Sequence, residues 1–236
     1  MPALLDFVLV ALFIIVVPLR AAAERRRLES ALAAGVADAK VRSYRRIMTW
    51  QWVVALILLV AWLGIGRELG LLGIVLPSGW GFLAGVGIAL ALIFVLIGQL
   101  QATKRRPKVA EQIRATAAPL TFLLPSTPTE LRLFTWLGVT AGIVEELLCR
   151  GYMMWVVRSV APSWVALVVT SIAFGIGHAY QGFSGILKTF GVGLFVGGLY
   201  LLTGSIWIPM IVHAAIDVFS GHTIYAALQS RPAADA

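Results

Sequence analysis

The sequence predicts an all-α protein, a polytopic transmembrane helical bundle of about seven or eight spans, and three observations carry that reading. Of its 236 residues 60% are hydrophobic and 13% charged, about half the charged fraction of a soluble domain. Mean hydropathy is +0.91. The apolar residues also fall into runs of about twenty, the length a helix needs to cross the hydrocarbon core.

Seven runs stand out: 3–19, 47–66, 81–100, 131–157, 163–180, 184–202 and 206–222. The first, "ALLDFVLVALFIIVVPL", has no basic residue before it and Arg20 directly after it. That charge order is the reverse of a cleavable signal peptide, so the run reads as an anchor with its N-terminus outside. The fourth is too long for one straight crossing and is expected to be strongly tilted or broken near Gly151. Two basic linkers separate the early runs. One, 20–46, contains "RAAAERRRLE" and "KVRSYRR"; the other, 101–130, contains "TKRRPK" and the Pro-rich "APLTFLLPSTP". Both are expected near the cytoplasmic surface, where basic side chains meet anionic lipid. The organisation expected is residues 1–130 as N-terminal spans with the two linkers, 131–222 as a helical core and 223–236 as a tail.

A net charge of +8 could suggest nucleic acid, but the positive residues cluster in short segments between apolar runs, as topology signals do. With the N-terminus outside, all Lys and Arg except Arg67, Arg150 and Arg158 fall on inner segments, Arg231 included. The expected placement is an integral protein of the cytoplasmic membrane of a bacterium, with a cytoplasmic C-terminus and no nucleic-acid partner. The single cysteine, Cys149, excludes an intrachain disulfide and reads as a small buried hydrophobe.

Ionisable groups inside such runs are costly, and they usually face a bundle interior or a wet cavity. "AGIVEELLCRG" (141–151) puts Glu145, Glu146 and Arg150 into the fourth run. Glu146 and Arg150 are four apart with the acid first, so they can pair on one helical face. Glu145 then points about 100° away. "SIAFGIGHAY" (171–180) sets Phe174 and His178 on one face. "WIPMIVHAAIDVFSGH" (207–222) does the same for His213 and Asp217, with small residues between them; His222, near the end of the run, reads as interfacial. A carboxylate and an imidazole can hold and deprotonate a water. A second histidine with an aspartate could bind a metal or donate to a developing oxyanion. The topology leaves one tension, because it sets Glu145 near mid-membrane and His178 nearer the cytoplasmic face.

These residues resemble a known family. "EELLCRG" matches the Glu-Glu-x-x-x-Arg motif of the CPBP (CAAX protease and bacteriocin-processing) intramembrane endopeptidases, "FGIGH" their Phe-x-x-x-His motif and "HAAID" their His-x-x-x-Asn/Asp motif. The resemblance covers about residues 130–222, occurs in the family's order, and is similar to the Rce1-type CAAX prenyl protease. It implies that Glu145 and His178 activate the attacking water and that His213 and Asp217 form the oxyanion side. It implies supporting roles for Glu146, Arg150 and Phe174. Asp217 stands where the eukaryotic prenyl proteases have Asn, and an ionised carboxylate cannot donate to an oxyanion. It is therefore protonated, or it orients His213, or it is a metal ligand. A metal-free glutamate mechanism is favoured; zinc, held by Glu145, His178, His213 and Asp217, is the alternative. The partners expected are a membrane-associated peptide or protein substrate and the lipid bilayer. Two other functions use the same residue types: a non-enzymatic immunity or regulatory scaffold, and a proton-coupled transporter.

Overall fold

The computed structural model describes residues 2–76 and 78–230; of the expected tail, 223–229 continue the last helix and 231–236 lie outside the described residues. Nine α-helices are present among them, and no strand. They are α1 (Leu4–Ala33), α2 (Ala39–Gly64), α3 (Gly79–Arg105), α4 (Pro107–Ala117), α5 (Pro128–Glu146), α6 (Met154–Arg158), α7 (Ser163–Gly177), α8 (Phe183–Thr203) and α9 (Trp207–Gln229). Five of these, α1, α2, α3, α8 and α9, are long and apolar enough to cross a membrane. The protein is thus an integral membrane protein, and the count meeting both criteria is lower than the seven apolar runs. α7, at 15 residues, falls short in length.

The basic linkers are more regular than their composition suggested. α1 continues to Ala33 and α2 begins at Ala39, leaving only residues 34–38 non-helical. Ala, Arg, Glu and Leu, which fill this stretch, are strong helix formers, so the helices run on past the apolar run. In the second linker α4 starts at Pro107, a residue suited to the first helical position. α5 starts at Pro128 behind Thr127, whose side chain accepts from the Glu130 amide.

The overlong fourth run is one rod. α5 passes without a break into a π-helical segment, Leu147–Met153, and on into α6. The expected irregularity near Gly151 is therefore a π-bulge and not a break. Such bulges insert extra residues into a helix and occur often at functional sites.

Charged contacts mark the two ends of the bundle. At the basic end, Glu24 of α1 accepts from Arg46 (2.6 Å) and Ser43 (2.7 Å) of α2. At the other end, Asp6 makes a two-pronged pair with Arg67 at 2.8 and 2.7 Å and accepts from the Tyr152 hydroxyl at 3.0 Å. The Arg67 guanidinium also faces the rings of Trp62 and Trp155 at 4.9 and 4.8 Å. α1 is clamped at both ends, and between the clamps its inner face borders a cavity of about 370 Å³.

α5 packs most extensively on α9. The approach is close because α5 presents Gly138 and Gly142. A Cβ on Gly138 would lie 3.0 Å from that of Asp217, and one on Gly142 would lie 2.5 Å from the Ala214 backbone nitrogen. Small residues let membrane helices approach in this way, and here the approach brings the acids of α5 to the His–Asp face of α9.

Candidate active site

Glu145, at the last turn of α5, faces the cavity bounded by α1, α2, the π segment and α7. Its Oε1 accepts from Gln51 Nε2 at 2.8 Å. Its Oε2 lies 4.0 Å from His178 Nε2 and 4.0 Å from His213 Nε2. The structure therefore brings together three of the four residues that the motifs single out as reactive, from α5, α7 and α9. Asp217 completes the group on the far side of His213, with Oδ2 3.7 Å from His213 Nε2 and its side chain 39% exposed.

The structure brings Glu145 and His178 to one level, 4.0 Å apart. Gln51 is five residues from Arg46, about 7.5 Å along α2, and its bond to Glu145 places the carboxylate towards the basic end of the bundle. The loop before α5 is held at that end by Lys40 Nζ donating to the Leu124 carbonyl at 2.6 Å.

The two histidines are oriented differently. His178 is the C-cap of α7, and its Nδ1 lies 2.8 Å from the Phe174 carbonyl. A carbonyl only accepts, so Nδ1 carries a proton, and Nε2 is the ring atom turned towards Glu145. His213 is held from the other side: its Nδ1 lies 2.8 Å from Glu146 Oε1. That same oxygen accepts from Arg150 Nη1 at 2.9 Å, and Arg150 Nη2 donates to the Gly193 carbonyl at 2.9 Å. Glu146 and Arg150 are fully buried. The ion pair expected from their spacing is present, and it extends across α5–α9 to orient His213. Phe174 fills the space between, with its ring 4.7 Å from His178, 5.5 Å from His213 and 4.9 Å from the Arg150 guanidinium.

Gln51 was missed by sequence reasoning. The signal was an amide inside an apolar helical run, which carries no charge to draw notice. Cys149 is buried as expected and lines the cavity beside Leu148. His222 stands apart, its Nε2 3.2 Å from Thr135 Oγ1.

The donor set does not match a zinc site as it stands. Ligands at 2.0–2.1 Å in a tetrahedron lie about 3.3 Å from one another, whereas the separations here are 3.7 to 4.0 Å. Among the described residues no group of three His, Cys, Asp or Glu is placed to hold a metal ion.

A bundle of apolar helices, with a carboxylate and an imidazole bordering a cavity near one end and a second, buried imidazole beside them, defines a membrane protein with a cluster of ionisable side chains. Residues 127–219 match a family model, Rce1-like, described as type II CAAX prenyl endopeptidase Rce1-like. The matched segment agrees with the motifs and contains every motif residue; Gln51 and the α1 wall of the cavity lie outside it. No curated protein and no solved structure matches the chain.

The glycine contact makes a testable link between packing and site. Gly142→Val is expected to push α9 away from α5 and lower peptide cleavage at least a hundredfold, since displacements of about 1 Å at a site cost that much. Gly87→Val on α3, whose added atoms enter open space, should leave cleavage near wild type. Comparable losses in both would mean the α5–α9 approach is not what the site depends on.

Proposed function

We propose that the protein is a CAAX-type or leader-processing intramembrane endopeptidase that hydrolyses a peptide bond near the cytoplasmic surface. The observation that carries the reading is the convergence of His178 Nε2 and His213 Nε2 on one oxygen of Glu145, each at 4.0 Å. Direct hydrogen bonds do not reach that far. One water about 2.8 Å from each of two groups spans roughly 4.6 Å, so the gaps suit a bridging water.

In this mechanism Glu145 takes a proton from the water as its oxygen attacks the peptide carbonyl carbon. His178, with its Nε2 lone pair, accepts a hydrogen bond from the same water and aims it. The carbonyl oxygen gains the negative charge. His213, carrying a proton on Nε2, donates to it, with Glu146 fixing the ring through Nδ1. Asp217 lies beside Nε2 and assists that side. Collapse of the tetrahedral intermediate breaks the C–N bond, and the proton held by Glu145 passes to the leaving amine. Glu146, Arg150 and Phe174 hold the geometry. The mechanism is metal-free, with the α5–α6 rod and α7 completing seven crossings and the N-terminus outside.

The test uses purified protein in detergent and a quenched-fluorescence peptide library that includes prenylated members. Cleavage is expected, is expected to persist with a zinc chelator, and should fall about 10²–10⁴-fold in His178→Ala. Loss with chelator and recovery with zinc would instead assign Glu145, His178, His213 and Asp217 as ligands.

A further inference from the structure

The cavity that Glu145 and His178 border is also lined by two cations, Arg20 and Arg25 of α1. Arg25 is occupied. Its Nε donates to Glu29 at 2.8 Å and its Nη1 to the Tyr180 carbonyl at 2.5 Å. Arg20 is not. It has no hydrogen bond and no carboxylate partner among the described residues, and its guanidinium lies over the Trp50 ring, 4.0 Å from the centroid.

Spacing offers Arg20 an obvious partner, because Glu24 is four residues on along the same helix. That order, base before acid, is the weaker one for a helical pair, and Glu24 is already taken. It accepts from Arg46 at 2.6 Å and Ser43 at 2.7 Å, and lies 3.9 Å from Arg27. The clamp between α1 and α2 therefore strips Arg20 of its local carboxylate. Stacking on an aromatic face fixes the plane of the fork while leaving its N–H edge free. Trp50 directly precedes Gln51, the residue bonded to Glu145, so the free cation and the reactive carboxylate are joined through adjacent residues of α2.

We infer that Arg20 is a specificity residue, which binds a carboxylate of the peptide substrate through its free guanidinium edge at the mouth of the cavity. The inference rests on the protease reading for its purpose, but binding can be measured without turnover. The carboxylate is either the chain terminus or an acidic side chain; the chemistry recognised is the same.

The experiment uses the full chain in detergent, carrying Glu145→Gln so that nothing is cleaved, and three fluorescein-labelled apolar hexapeptides. One ends in a free carboxylate, one is its C-terminal amide, and one is amidated but carries a single glutamate. Fluorescence anisotropy gives each Kd, with Arg20 intact, as Arg20→Gln and as Arg20→Lys. A charge-assisted bidentate contact predicts about tenfold or tighter binding of one carboxylate peptide over the plain amide. That preference should vanish in Arg20→Gln and return in part in Arg20→Lys. Which acid peptide gains identifies the source of the carboxylate. Equal binding of all three with Arg20 intact overturns the inference, as does an acid preference that survives Arg20→Gln. Weakening of all three alike in Arg20→Gln also overturns it, since it would make Arg20 a structural or lipid-facing cation. A parallel cleavage assay on the chain with Glu145 restored separates the two readings: binding preference without cleavage counts against the protease and leaves the Arg20 site standing.

Discussion

Glu145→Gln is expected to lower peptide cleavage about a thousandfold or more while leaving the protein folded. The substitution keeps the shape of the side chain and its acceptor towards Gln51, which donates to Oε1 at 2.8 Å. What it removes is the basic oxygen aimed at both histidines. An amide there donates and cannot take a proton from water, and loss of a general base costs about 10²–10⁴. Stability should change little, because the Glu145 side chain is 23% exposed and its charge is not deeply buried. The measurement is cleavage of the best library peptide, with a thermal scan of the same preparation. Cleavage that survives the substitution would remove Glu145 from the reaction. A cellular phenotype that survives both Glu145→Gln and His178→Ala would point to the non-enzymatic scaffold, and substrate-dependent proton uptake in vesicles without cleaved product would point to transport.

Local spacing made much of this site legible. Glu146 with Arg150 and Phe174 with His178 are each four residues apart, so helical geometry alone places them on common faces. The structure has the first as an ion pair and the second as rings 4.7 Å apart. Local spacing also told only part of the story. His213 and Asp217 do share a face, with Nε2 and Oδ2 3.7 Å apart, but the residue on His213 Nδ1 is Glu146, 67 positions away on another helix. No periodicity reports such a contact, because it depends on how closely α5 and α9 approach, and that is set by Gly138 and Gly142. Gln51 and Arg20 were hidden for related reasons. One is an uncharged polar residue in an apolar run, and the other looked like a topology charge. The overlong fourth run was visible, but an excess of residues does not say whether a helix tilts, breaks or bulges.

The Glu146–Arg150 pair supports the second large effect, on stability. Both side chains are 0% exposed, and two of their polar atoms, Glu146 Oε2 and Arg150 Nε, have no hydrogen-bond partner among the described residues. The pair is therefore costly to bury and worse to break. Arg150→Met removes the guanidinium, its bond to Gly193 and its contact with Phe174, and leaves a buried carboxylate facing only His213. Breaking such a pair costs about 3–5 kcal/mol, which for a chain of this size lowers Tm by roughly 10 °C. Intrinsic fluorescence of the eight tryptophans, followed through a thermal scan, provides the readout. The double variant Glu146→Gln, Arg150→Met removes both charges, and replacing a buried pair with neutral groups is often close to neutral in stability. Its Tm should recover most of the loss. Cleavage should not recover with it, because His213 Nδ1 then faces an amide in place of an anion and the ring loses its charged anchor. If the double variant is no more stable than Arg150→Met alone, the uncompensated Glu146 charge is not the source of the loss, and Arg150 acts through Gly193 and Phe174. If cleavage recovers together with stability, the pair is scaffolding only, and the hydrogen bond from His213 to Glu146 has no part in orienting the oxyanion side.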